Sequence, residues 1–334
     1  MIAAAPGKLI LSGEHAVVYQ QPALVMAVNR FARATLESHT QKNVTLYLAD
    51  LSLTSTNSTN ALRVLKRRME KNYTLFLREE LGIRQVVTNP TDVFNFMVIH
   101  MLDAFLLDLQ CGVQIKVQSD IPIGCGMGSS AATVVSVLRV LAAYFNLAFV
   151  PEKFYSFAME AERLLHGTPS GVDPFVSLYG ECHRFQNGQT QVRPIPSIPM
   201  YMVNTGAPQA TTGECVSFVA SHFAASSIWN EFGSVTDEID QSIRGNDFFN
   251  VQKQVRQNHR LLMEIGVVPE QVGRFISEIE TLGGAAKISG AGSIRGDHAG
   301  IVLIFAEKPP IEVCQKYRYE IYPVQGESFG ARVV

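Results

Sequence analysis

The sequence predicts an α+β protein of two domains, and three observations carry that reading. Strand-like and helix-like segments are mixed along the chain without the regular alternation that builds a parallel α/β sheet. At 334 residues the chain exceeds the length at which a single core keeps growing, so two domains are expected. With 47% hydrophobic and 17% charged residues, it is an ordinary folded protein.

The elements follow in order. KLILSGEHAVVY (8–19) and PALVMAVNRFARATLES (22–38) are rich in apolar and β-branched positions and read as strands, as does VTLYLADL (44–51). Residues 61–81 carry helix formers and clustered charge, with Lys66, Arg67 and Arg68 read as a solvated face. DVFNFMVIHMLDAFLLDL (92–109) reads as an apolar helix and CGVQIKVQSDIP (111–122) as a strand. A helix follows over 130–146, and another runs from Pro151 to a stop at Gly167. GTPSGVDPFVSLYGECHRF (167–185) reads as a turn followed by strands. QNGQTQVRPIPSIP (186–199) is the most linker-like stretch, with a turn at Asn187-Gly188, and the domain boundary is placed there. Beyond it, 246–266 and 269–283 read as helices and GIVLIFA (300–306) as a strand.

Composition excludes several classes of function. A net charge of −2 gives no basic bias toward nucleic acid or an anionic membrane. Residues 131–150 are apolar but broken by Arg139 and Asn146, which fits a core helix better than a membrane span. The N-terminus lacks the features of a signal peptide. Five scattered cysteines without CxxC spacing argue against a disulfide framework or zinc site and fit a reducing, cytoplasmic setting.

The chemistry concentrates in glycine-rich loops. DIPIGCGMGSSAA (120–132) sets Gly124, Gly126 and Gly128 at alternate positions before Ser129, Ser130 and a helix. Such a helix N-terminus suits an anion, because its free N–H groups and partial positive charge meet a close backbone approach. A small-residue turn with serine caps is the alternative. The P-loop string is absent, and a dinucleotide fingerprint would need glycine where Ser129 or Ala131 stands. Two further loops keep the first company: APGKLILSGEH (5–15) with Lys8, Glu14 and His15, and KISGAGSIRGDHAG (287–300). PSGVD places Asp173 after a glycine turn, eleven residues beyond Glu162. Glycine loops, a lysine, two carboxylates and Ser130 are the parts of metal-assisted phosphoryl transfer.

Together the three loops resemble the GHMP kinases over nearly the whole chain. APGKLILSGEHAVVY, GMGSSAA and HGTPSGVD resemble the mevalonate-type members of that family. The resemblance implies two α+β lobes, residues 1–190 and 191–334, the second ferredoxin-like, with ATP and acceptor in the cleft between them. It implies that Gly124, Gly126, Met127, Gly128, Ser129, Ser130 and Ala131 cradle the ATP phosphates. Ser130 and Glu162 would hold Mg²⁺. Asp173 matches the catalytic aspartate, as base or electrostatic partner, with Lys8 beside it to stabilise it and the developing alkoxide. Glu14, His15, Thr211 (with Thr212 an equal candidate), Gly290 and Ala291 would lie at the substrate, and Gly292 would help close the loop.

The implied reaction moves the γ-phosphoryl group of ATP to the 5-hydroxyl of (R)-mevalonate. Other acceptors within the family are phosphomevalonate, homoserine or a sugar, and a reading of another class is a non-catalytic ligand sensor. A phosphorylated acceptor would call for further basic residues, and near the motifs there are Lys8, Arg163, Lys287 and Arg295. The expected partners are small molecules, with no nucleic acid and no membrane. Relatives are often dimers, so a homodimer is admitted, although the sequence identifies no dimer surface. Two departures stand out: Ser293-Ile294-Arg295, with Arg295 read as exposed, where relatives carry more glycine, and Gln20 in place of a glycine before the turn at Pro22.

Overall fold

The computed structural model describes residues 1–167 and 169–334. The chain builds two sheets, each covered by helices. The first part contains β1 (Ile2–Ser12), β2 (Ala23–His39), β3 (Val44–Leu48), β4 (Leu53–Asn57), α1 (Thr59–Leu77), α2 (Asp92–Ala104) and β5 (Gly112–Ser119). It continues through α3 (Ser129–Tyr144), α4 (Pro151–His166), α5 (Val172–Tyr179), β6 (Cys182–Gln186) and β7 (Gln189–Arg193). The second part runs β8 (Met200–Asn204), α6 (Thr212–Phe223), α7 (Ile228–Arg244), α8 (Phe248–Glu264), α9 (Glu270–Thr281) and β9 (Ala285–Ser289). Then come β10 (Ile301–Phe305), α10 (Ile311–Lys316), β11 (Ile321–Pro323) and finally β12 (Arg332–Val333).

Strand β2 organises the first sheet. Its residues 32–39 pair with β5, its residues 23–26 pair with β6, and its other edge carries β1. The sheet order is β12-β1-β2-β5-β3-β4, with the β6–β7 hairpin beside the start of β2. Of these pairings only β3 with β5 is parallel. The second sheet has the order β11-β8-β10-β9, antiparallel throughout. Numbered along the chain those strands lie 4-1-3-2, the ferredoxin-like arrangement. Both β9 and β10 are wholly buried, which is why IVLIF can be a continuous apolar run. No helix among the described residues is long and apolar enough to cross a membrane.

Two expectations need revision. Residues 172–179, read as strand from their valines and aromatics, form helix α5. Gly171 caps it in a left-handed conformation, and Pro174 lies in the first turn, where no backbone donor is needed. Burial of Val172, Val176 and Leu178, and a 2.9 Å bond from Ser177 Oγ to the Pro6 carbonyl, outweigh strand propensity. The charged face of α1 is anchored as well as solvated: Lys66 reaches Asp103 at 3.0 Å and Arg68 reaches Asp92 at 3.1 Å.

A division at residue 190 falls inside β7, which pairs with β6 in the first sheet. We therefore draw the first lobe through Arg193. The end of the chain also returns to this lobe. Gly326 bridges to Val28, Glu327 N–H donates to the Ala27 carbonyl at 2.9 Å, and β12 pairs with Ala3 and Ala4. Between the lobes runs a polar seam: Ser12 Oγ lies 2.7 Å from Thr236 Oγ1 and accepts from Asn258 Nδ2 at 3.1 Å. Gln20 adopts a left-handed backbone with φ of 66°, so the missing glycine was conformationally apt there.

Candidate active site

Three segments distant in sequence converge where β1 meets the glycine loop and the start of α5. Gly128 is the residue before α3 and adopts φ of 69°. Lys8 N–H donates to the Met127 carbonyl at 2.9 Å, which fixes the loop against β1. A Cβ at residue 128 would sit 3.2 Å from Lys8 Cγ and 3.4 Å from Asp173 Oδ2. Glycine therefore lets the loop close over these side chains. Lys8 Nζ lies 3.2 Å from Asp173 Oδ1, with Lys8 4% and Asp173 34% exposed. The lysine is anchored inside while the carboxylate faces the opening.

The loop itself presents backbone. Gly124 and Gly126 are exposed, Ser129 and Ser130 half-buried, and Met127 buried, plugging the loop into the core. The helix that begins at Ser129 offers its first N–H groups without intrahelical acceptors. Cys125 is buried, and burial pushes its thiol up rather than down, so it is a packing residue.

Glu162 is the unusual carboxyl of the site. It lies on the last turns of α4, and its Oε1 is buried with no hydrogen-bond partner among the described residues. Burial first, then the like charge of Asp173, push its pKa up to about 8 against a pull from Lys8. His166, one turn on, comes to 3.9 Å from the other oxygen. An orphaned, charge-crowded carboxylate oxygen beside a second carboxylate is a fit for a hard divalent cation, which takes oxygen ligands and removes the repulsion. Ser130, in the first turn of α3, supplies a hydroxyl of the right class.

The other expected residues are placed by the second lobe. Glu14 is buried against Lys287 of β9, with side chains 1% and 0% exposed. Burial drives the Glu14 carboxyl up and the Lys287 ammonium down, and their mutual attraction opposes both. His15 is buried, its ring pKa lowered by burial, and its Nε2–H donates to the Ala291 carbonyl at 3.0 Å. The first-lobe GEH segment and the third loop are thus joined directly. Gly290 lies against the first glycine loop, its absent Cβ 3.4 Å from Gly126 Cα.

Thr211 caps α6, its Oγ1 accepting from Glu214 N–H at 3.2 Å and donating to Glu214 Oε2 at 2.9 Å. Arg295 is half-exposed, as expected, but it is also paired, reaching Glu214 at 2.8 Å. Lys287 was visible in sequence only as one basic residue near the motifs. Its signal was a lysine inside AAKIS, a run otherwise fit for a core strand.

Known proteins resemble this chain in sequence and in fold. Residues 94–181 match the family model described as the GHMP kinases N terminal domain. A mevalonate kinase of Archaeoglobus fulgidus is 29% identical over 317 residues, covering 92% of this chain and 94% of its own. Among solved structures, the Methanococcus jannaschii mevalonate kinase superposes with a TM-score of 0.81 at 21% identity, covering 98% of each chain. A mevalonate kinase of L. major, solved in complex with R-mevalonate, gives 0.68 at 19% identity, covering 98% of this chain and 96% of its own. By these matches the chain is an enzyme similar to the GHMP kinases. Within the family its likeness is to the mevalonate kinases.

Proposed function

We propose that this enzyme transfers the γ-phosphoryl group of ATP to the 5-hydroxyl of mevalonate. The observation that carries the reading is the Lys8–Asp173 pair held 3.2 Å apart against Gly128. It sets a carboxylate and an ammonium where the glycine loop would deliver a phosphate. In the reaction the acceptor oxygen bonds to the γ-phosphorus as the bond to the β,γ-bridging oxygen breaks, and ADP leaves. Asp173 takes the hydroxyl proton or holds it in a hydrogen bond as the oxygen attacks, a contribution of typically ~10²–10⁴-fold. Lys8 steadies that carboxylate and the charge growing on the acceptor oxygen.

Ser130 and Glu162 are the residues that would hold Mg²⁺. When bound, the cation supplies charge neutralisation to the β- and γ-phosphate oxygens. The loop 124–131 would hold the phosphates through backbone N–H groups. Glu14, His15, Gly290 and Ala291 would shape the acceptor side of the cleft. Thr211 would border it at the start of α6.

The charge inventory supports an acceptor without a phosphate of its own. Arg163 pairs with Glu160 at 2.6 Å, Arg295 with Glu214, and Lys287 is enclosed with Glu14. Of the four basic residues near the motifs, Lys8 alone borders the loop, and it is engaged with Asp173. The test is ADP release with ATP and Mg²⁺ across mevalonate, phosphomevalonate, homoserine and galactose. Turnover dependent on mevalonate is expected. Preference for another acceptor would overturn the specificity, and ATP binding without turnover on any would favour a sensor.

A further inference from the structure

The Lys287–Glu14 pair is more than a packing detail. Lys287 Nζ has three acceptors around it: Glu14 Oε1, the Ile288 carbonyl at 2.7 Å and the Ile10 carbonyl at 3.4 Å. Three acceptors match the three protons of an ammonium, which has no lone pair to offer. The lysine belongs to the second lobe, while Glu14 and Ile10 belong to the first. Two residues on, Ser289 Oγ accepts from Ile10 N–H at 2.9 Å, and beyond it Ala291 accepts from His15. Lys287 therefore heads a short stretch that fastens the third glycine loop to β1 and the segment after it.

Glu14 also lies within the electrostatic influence of Lys8. Lys8 joins Lys287 in favouring its carboxylate, and Glu14 Oε2 has no hydrogen-bond partner among the described residues. By contact at either end, and by charge between Lys8 and Glu14, the side chains make a row of alternating sign: Asp173, Lys8, Glu14, Lys287. Exposure falls along it, from 34% at the cleft through 4% and 1% to 0% between the lobes. We propose that Lys287 is a positioning residue for phosphoryl transfer, acting through Glu14 on Lys8 and on the loop 289–292. It touches neither phosphate nor acceptor. It holds the group that steadies Asp173 and the loop that closes on Gly126, where a Cβ would meet the Ser289 carbonyl at 2.9 Å.

This inference rests on the phosphotransfer reading, and the experiment separates the two. Removing one partner alone strands a buried charge and threatens the fold, so the test variant is Glu14→Gln with Lys287→Met, which removes both charges. Folding is followed by thermal melting, ATP affinity by calorimetry, and kcat and KM by ADP release, beside the wild type. The expected result is a folded protein with ATP affinity within twofold of wild type and kcat lower by about ten- to a hundredfold, the scale on which small misplacement acts. A folded double variant with wild-type kcat overturns the proposal, because a purely structural pair would leave turnover unmoved.

Should that variant not fold, Lys287→Arg decides. Arginine keeps the charge but spreads it over a planar fork, which does not reproduce a single nitrogen shared by three acceptors. Reduced kcat with ATP affinity retained supports the proposal, and wild-type kcat overturns it. If the wild type prefers homoserine or galactose, the acceptor reading falls and the same comparison is made on that acceptor. A wild type without turnover on any acceptor overturns both.

Discussion

Replacing Glu162 with glutamine removes a carboxyl whose pKa burial and the like charge of Asp173 push up to about 8, from an ordinary 4.5. Because the folded value is the higher, its contribution to stability is fully present below about 4.5 and is lost as pH rises through about 8. The full shift corresponds to about 5 kcal/mol, and the part lost between pH 5 and 9 to about 4 kcal/mol. Glutamine has nothing to ionise, so Glu162→Gln should escape that loss. In thermal melts with EDTA, the wild type should lose roughly 5–10 °C more than the variant between pH 5 and 9. All other ionisable groups are shared by the two proteins, so the difference reports Glu162 together with its contacts to Asp173, Lys8 and His166. Mg²⁺ with ADP should narrow it by binding the ionised carboxylate, with protons released at neutral pH. Equal losses in the two proteins would refute the reasoning, and with it the assignment of Glu162 as a charge awaiting a cation.

Other perturbations separate roles that proximity alone leaves joined. Asp173→Asn should lower kcat by ~10²–10⁴-fold while ATP affinity, read by calorimetry, stays near wild type. Thr211→Ala should cost about 1 kcal/mol in urea unfolding through loss of the α6 cap, and a rise in acceptor KM would show a further contact with substrate. Gln20→Gly relieves a left-handed backbone at an exposed position and should raise stability by about 0.5–1 kcal/mol, with kcat unchanged.

What could be read from sequence was what short range controls. The α3 and α4 helices were legible from apolar periodicity, from Pro151 and from Gly167, because these signals act within a few residues. The ferredoxin-like order of the second sheet came through the family resemblance, since the strands that pair there lie up to about 120 residues apart. Helix α5 was misread because its valines and aromatics favour a strand locally, and burial against β1 and α3 decided otherwise. The Lys8–Asp173 pairing was expected from the family resemblance. That Glu14 faces Lys287 was not, for the contact joins residues 273 positions apart. A lone lysine in AAKIS looks like a strand's exposed face until the second lobe is folded onto the first.

The return of the chain to its starting lobe bears on how the protein is made. When residue 193 has left the ribosome, the strands that carry Lys8 and the helices that carry Glu162 and Asp173 already exist. The outer edge of β1 nonetheless stays open until residues 332–333 emerge to pair with Ala3 and Ala4. Over the intervening synthesis, at roughly 5–20 residues per second, that edge is free to meet other strands. The sheet of the first lobe is thus not closed until the second lobe has been made.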